Sequence, residues 1–345
     1  MKVMLISTTI FQLTKSGLTG YGGLEHIVAL LAIELKKLGC EVSVVCPEGS
    51  DLGEGIEIIP VPLRCGEDVA YERYKGRLTS GEFDAVEDHS WSWMSVLSQM
   101  ESDHQLPIIH CYHSDPYNLQ TPPPIRYPCL VAFSEAQANI IRSRWSACVQ
   151  VVKHGIDLNF YKPDPTVKRG DRYLFLARYC PEKGFLEVSY LAKKCKVGLD
   201  AFGDTEIVGP HQDYMRKCFE ESDGRQIRVN PGISREQTVK EYQSHKALIT
   251  WPNFVEIWGL STTEALACGC PVISKDSGAA REQILQGRTG WVVSTLEQAE
   301  ELITSGKIDT IKSEACVKRA SKFSIQASAR GHLRLLTEVA QGFVW

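Results

Sequence analysis

Two glutamates, Glu256 and Glu264, stand eight positions apart in the stretch FVEIWGLSTTEALACGCPVIS, residues 254–274. Between them lie a Trp-Gly pair and three hydroxyl residues, and after them an Ala-rich helical run ends in Cys-Gly-Cys-Pro. Gly259 breaks any continuous helix through both acids. A helix starting there aims the backbone N–H groups of Gly259, Leu260 and Ser261 outward, and such unpaired amides suit a phosphate. A carboxylate beside an anion site repels the anion. It is better used accepting hydrogen bonds from neutral hydroxyls, such as those of a sugar or ribose. Ser261 and Glu264 also spell a capping box, S-x-x-E, which by itself accounts for Glu264. Glu256 precedes the helix and has no capping role, so it is the sharper ligand candidate.

Other residues carry matching chemistry. FLARYCPEKG places Arg178 and Lys183 on either side of a short loop at a strand end. Two such cations can clamp a diphosphate, Arg as a fork and Lys as a point charge; the alternative is two solvated surface cations. GYGGLEHIV lies between the first strand and the first helix, where Gly22 and Gly23 allow close backbone approach to a ligand. Its spacing is not the G-x-G-x-x-G of dinucleotide sites. His89 ends FDAVEDHS and His113 ends IIHCYHSDP, both at expected carboxyl ends of strands, where sites collect. His110, inside the apolar run, is the weaker candidate.

The elements that must hold these residues alternate strand and helix. KVMLIST, EVSVVCP, FDAVEDH, LPIIHCYH and CLVAFS read as buried parallel strands. The run LEHIVALLAIELKKLGC has helical apolar spacing and stops at Gly39, and Ser134 caps SEAQANIIRSRW. A second series, RYLFLAR, KVGLDAFGD, RQIRVNPG, KALITWP, PVISK and TGWVV, begins near residue 172. The polar, proline-containing HGIDLNFYKPDPTVKRGD between the series reads as an interdomain linker. The tail, residues 324–345, is helical and amphipathic. The expected class is α/β, two doubly wound Rossmann-like halves, with ligands in the cleft between them.

Composition narrows the function. A chain of 345 residues with net charge −4 suggests two domains and carries no basic block of the kind that grips nucleic acid. The apolar start is short and lacks a cleavage site, and no run reaches 18 apolar residues, so neither a signal peptide nor a membrane span is expected. Peripheral membrane contact stays open. Twelve cysteines are scattered singly with no Cys-x-x-Cys pair, which reads as reduced core residues of a cytoplasmic protein rather than zinc ligands.

Taken together, these segments resemble the retaining glycosyltransferases of family 4. YGGLEHIVALLAIELKKLGCEVSVV looks like their start and VVKHGIDLNFY like their interdomain segment. FLARYCPEKG is similar to their G-R-x-x-x-E-K-G loop, with Ala177 in the glycine place. EIWGLSTTEALACGCPVIS resembles their E-x7-E segment, and GAAREQILQGRTGWVV the stretch after it. The resemblance implies a GT-B fold: residues 1–155 as an acceptor domain, with helix 324–345 packing back on it, and 156–323 as a nucleotide-sugar donor domain. It implies sugar transfer from a nucleotide-diphosphate sugar, a UDP-sugar by preference, to a sugar, lipid-linked or small-molecule acceptor, with no cofactor and no metal. Arg178 and Lys183 would hold the diphosphate, Glu264 the ribose, and Glu256 with the amides of Gly259, Leu260 and Ser261 the donor sugar. Gly22 and Gly23 fall on the loop that approaches donor phosphate. Ile233, in NPGIS, would contact the base, His113 would lie near the reacting centre, and His89 on the acceptor side. Trp258 replaces the usual Phe, and Ile257 a smaller residue. The competing readings are a sugar-nucleotide epimerase or phosphorylase, a non-catalytic nucleotide-sugar binder, and a nicotinamide oxidoreductase, the last opposed by the missing glycine fingerprint.

Overall fold

Continuous apolar runs become central parallel strands because both faces of such a strand are covered. A computed structural model of the chain describes residues 1–15, 22–91, 95, 106–115, 117, 129–205 and 209–345. These form two compact units, Met1–Gly155 with Ile325–Trp345, and Ile156–Ser324.

The first unit holds β1 (Lys2–Ile6), α1 (Gly23–Lys37), β2 (Glu41–Pro47), β3 (Ile56–Val61), α2 (Glu67–Leu78), β4 (Ala85–Asp88), β5 (Ile108–Cys111), β6 (Leu130–Ala132), α3 (Glu135–Trp145) and β7 (Val149–Val151). Its sheet runs β3-β2-β1-β4-β5-β6-β7, and its paired strands are parallel. The five expected strands are present. β3 and β7 at the edges were not expected: β3 contains Pro60, which only an edge or strand end accommodates, and β7 is three residues long. Gly39 follows α1 with φ +91°, and the Ser134 side chain caps α3 by accepting from the Gln137 N–H, both as expected.

The second unit holds β8 (Tyr173–Leu176), α4 (Phe185–Cys195), β9 (Leu199–Gly203), α5 (Gln212–Glu220), β10 (Ile227–Pro231), α6 (Arg235–Ser244), β11 (Leu248–Thr250), α7 (Leu260–Ala267), β12 (Val272–Lys275), α8 (Ala280–Gln283), β13 (Gly290–Val293), α9 (Leu296–Thr304) and α10 (Ser313–Ala320). Its sheet order is β10-β9-β8-β11-β12-β13, so all six expected strands form. α11 (Ile325–Ala340) belongs to the first unit and packs on α1, β4 and β5. No helix among the described residues is long and apolar enough to cross a membrane.

The segment expected as the interdomain linker holds the boundary between the units, after Gly155, and its later part is packed. Ile156 and Tyr161 are buried in the second unit's core, and Ile156 bridges to Ser324. Its polar composition hid two large apolar anchors.

A buried charge cluster ties β9 into place. Arg172 clamps Asp200 through Nε and Nη2, at 2.7 and 2.6 Å, and His245 Nε2 approaches the same carboxylate at 3.0 Å. Burial pushes the Asp200 pKa up, but His245 and Arg172 outweigh it and hold the group at about 2. A depressed carboxylate contributes stability above its ordinary value of 3.8 and loses it as pH falls through about 2. Asp200→Asn is therefore expected to lower the urea midpoint by the equivalent of about 2 kcal/mol at pH 7. The variant's deficit should shrink between pH 4 and pH 2, as a paired urea series would show.

Candidate functional site

The loop after β8 carries Arg178, then a single 3-10 turn, Pro181–Lys183, and Gly184. Gly184 has φ +69°, and a Cβ there would sit 2.1 Å from the Trp251 carbonyl oxygen. Only glycine lets the loop press this close to the end of β11. The approach brings Lys183 to Glu256: Nζ lies 2.5 Å from Oε2, with both side chains partly exposed, and Nζ sits 4.6 Å over the Phe254 ring. The sequence placed these two residues in separate roles; the fold makes them an ion pair. Gly278 supports the acid from behind, since a Cβ there would meet the Glu256 carbonyl at 2.0 Å.

The start of α7 corrects two expectations. No capping box forms at Ser261: the N-cap is Gly259, so Ser261 lies inside the helix and Glu264 on its second turn. The Gly259 amide, expected to face a ligand, is buried and donates to Gln283 Oε1 at 3.2 Å, while Gln283 Nε2 returns bonds to the Gly259 carbonyl and Thr263 Oγ1. Gln283 is more than twenty residues away in sequence, and no local signal points to it. Leu260 and Ser261 are partly exposed residues whose amides take no acceptor among the described residues, so the helix start keeps part of its anion-binding capacity.

Glu264 has its own setting. Its Oε2 accepts from the Tyr242 hydroxyl at 3.0 Å, and Arg235 stands 3.8 Å from Oε1 while also donating to Tyr161 at 3.0 Å. Burial first, then the Glu264 charge, push the Tyr242 hydroxyl well above its ordinary pKa, so it stays a donor. Arg235 directly follows NPGIS, whose Ile233 is partly exposed between β10 and α6. Ser234 there forms the capping box with Gln237 that Ser261 does not form. Trp258 and Ile257 are buried, and Trp258 packs edge-on to Phe323 at 5.0 Å.

In the first unit, Gly22 caps α1 and Gly23 opens it; Gly20 and Tyr21 of the same stretch lie outside the described residues. Glu25 in that first turn accepts from the Thr8 hydroxyl, and burial raises its pKa. His113 follows β5 and is partly exposed. Its Nε2 lies 2.8 Å from His89 Nδ1. His89, expected to face an acceptor, is fully buried between His113 and Glu87, so it reaches any ligand only through His113. Glu87, His154 and His332 complete this cluster and were not singled out from sequence; the signal was an acid inside an apolar strand.

Residues 21–160 match the family described as Glycosyltransferase Family 4, and residues 161–323 match Glycosyl transferases group 1. AviGT4, a glycosyltransferase involved in avilamycin A biosynthesis, superposes with TM-score 0.76 at 20% identity, covering 100% of this chain and 99% of that one. The chain is a glycosyltransferase of the GT-B fold. A D-inositol 3-phosphate glycosyltransferase of Frankia alni is 23% identical over 91% of this chain and 93% of its own length. Anabaena HepE in complex with UDP and glucose gives TM-score 0.74 at 16% identity, covering 98% and 100%.

In this glycosyltransferase the carboxylate of Glu264 is held by Tyr242. Tyr242→Phe removes the donor and leaves a buried acceptor less satisfied. It is expected to cost about 1.5–3 kcal/mol in urea unfolding, since the bond is to a charged group. An unchanged midpoint would contradict that role.

Proposed function

We propose that the chain transfers a sugar from a nucleotide-diphosphate sugar to an acceptor hydroxyl, with retention of anomeric configuration and without a metal ion. The observation that carries this reading is the Lys183–Glu256 pair, with Glu256 four and five residues ahead of the partly exposed Leu260 and Ser261. A cation, two amide donors and a carboxylate together complement a sugar diphosphate: anionic phosphate on one side, neutral hydroxyls on the other.

Donor arrival would redistribute these charges. Lys183 turns from Glu256 to the diphosphate, joined by the Arg178 fork. Glu256 is then released to accept hydrogen bonds from the donor sugar. Glu264 takes the ribose hydroxyls, held by Tyr242 and Arg235, and Ile233 meets the base. The similar HepE structure with UDP supports a UDP-sugar as the preferred donor. Gly22 and Gly23 open α1 with a positive helix end suited to phosphate, and His113 lies near the reacting centre, as the family resemblance implies.

In the reaction, the C–O bond between anomeric carbon and diphosphate breaks and the acceptor oxygen bonds to that carbon on the same face. The acceptor proton passes to the departing phosphate oxygen. Charge builds on the diphosphate as an oxocarbenium-like centre forms. Arg178, Lys183 and the amides stabilise that charge in place of a divalent cation. All twelve cysteines are free, which fits a reducing cytoplasm.

Lys183→Ala and Arg178→Ala should each lower kcat by about 10²-fold or more. Chelation by EDTA should leave the wild-type rate unchanged. Near-normal rates in both variants would refute the diphosphate assignment. Donor isomerisation or hydrolysis that outpaces transfer would favour an epimerase or phosphorylase instead.

A further inference from the structure

Glu87 is fully buried on a central strand of the first unit, where desolvating a carboxylate is costly unless donors surround it. Side chains alternate along a strand, so Glu87 and His89 share one face of the sheet, and Cys111 at the end of β5 lies on it too. α11 covers this face and supplies His332. Three groups converge on one oxygen, Glu87 Oε1: the Cys111 thiol donates to it at 3.2 Å, and His332 Nδ1 and His89 Nε2 lie 2.6 and 3.1 Å away. The two imidazole contacts are charge contacts rather than hydrogen bonds. Burial raises the Glu87 pKa, but His332 and His89 outweigh it and keep the group ionised. Burial and the Glu87 charge keep the Cys111 thiol protonated.

The chain of contacts continues outward. His89 Nδ1 meets His113 Nε2 at 2.8 Å. The His113 ring packs on Phe133, centroids 4.5 Å apart, and Phe133 stacks on His154 at 3.7 Å. The ring is thus clamped on its flat face. His89, His332 and His154 are buried, and His113 is the partly exposed ring of the set. Its Nδ1 makes no hydrogen bond among the described residues.

Two facing imidazole nitrogens share one proton. Glu87 Oε1, 3.1 Å from His89 Nε2, attracts the proton of a neutral His89 ring to that nitrogen, so His89 Nδ1 presents a lone pair. His113 must then carry its own proton on Nε2. We propose that Glu87 and His89 are positioning residues that fix His113 with Nε2 protonated and Nδ1 bare, as the acceptor for a hydroxyl of the sugar substrate. This rests on reading His113 as the substrate-facing group.

The test begins on unaltered protein. Long-range ¹H–¹⁵N correlation of ¹⁵N-histidine-labelled chain should show both His89 and His113 as neutral Nε2–H tautomers. An Nδ1–H form at either ring overturns the relay. So does one equivalent of zinc in the same sample, because Glu87, His89 and Cys111 are close enough to ligate an ion, whose binding would redirect the ring nitrogens. Glu87→Gln should lower kcat by about tenfold or more, with donor KM within about twofold and a changed His113 tautomer. Asp88→Asn, which loses a buried partner 3.4 Å from His110 on the opposite face, should leave kcat and the tautomer unchanged even if stability falls. The expected wild-type tautomers with kcat unmoved by Glu87→Gln would overturn the substrate-facing reading of His113, whereas loss of the nucleotide site in the second unit would show separately as failed donor binding.

Discussion

The second unit's site is organised by one ion pair, Lys183 with Glu256. The partners are 73 residues apart in sequence and 2.5 Å apart in the fold. Neither charge is comfortable alone in a partly desolvated place, so the pair ties the loop after β8 to the loop before α7. Two glycines make the approach possible: Gly184 against the Trp251 carbonyl and Gly278 against the Glu256 backbone. Both have positive φ, and any side chain would collide with main chain. In the proposed donor site a phosphate would replace the carboxylate as partner to the lysine.

The first unit uses buried charge differently. Glu87 is enclosed, and its partners are imidazoles and a thiol rather than a guanidinium. Such a cluster sets proton positions instead of binding an anion. α11 matters here because His332, supplied from the far end of the chain, is one of the groups that keep Glu87 ionised. The C-terminal helix thereby supplies a partner to the buried charge of the unit it packs on, and not only apolar contacts to its core.

Much of this was legible from sequence for a physical reason. Buried parallel strands need unbroken apolar runs, so the central strands announced themselves, and so did the ligand-capable residues at their carboxyl ends. Edge strands β3 and β7 escaped because an edge tolerates Pro60 and short length. The capping box at Ser261 does not form because Gly259, held by Gln283, starts the helix two residues earlier, and that partnership is long-range. The packing of the segment after His154 was not legible because its charges outnumber the two buried residues, Ile156 and Tyr161, that anchor it. Ion pairs such as Lys183–Glu256 and clusters such as Glu87 with His332 depend on three-dimensional closure, which local pattern does not encode.

The account stands or falls on whether the site around Lys183, Glu256 and α7 takes a nucleotide diphosphate. The most direct measurement is thermal unfolding of the intact chain with UDP-, GDP- and ADP-sugars. A ligand present at 100 times its Kd adds about 2.7 kcal/mol of stability. The account predicts a clear, saturable rise in Tm with at least one nucleotide-sugar, greatest with a UDP-sugar and not dependent on added divalent cation. No shift with any of them would contradict it.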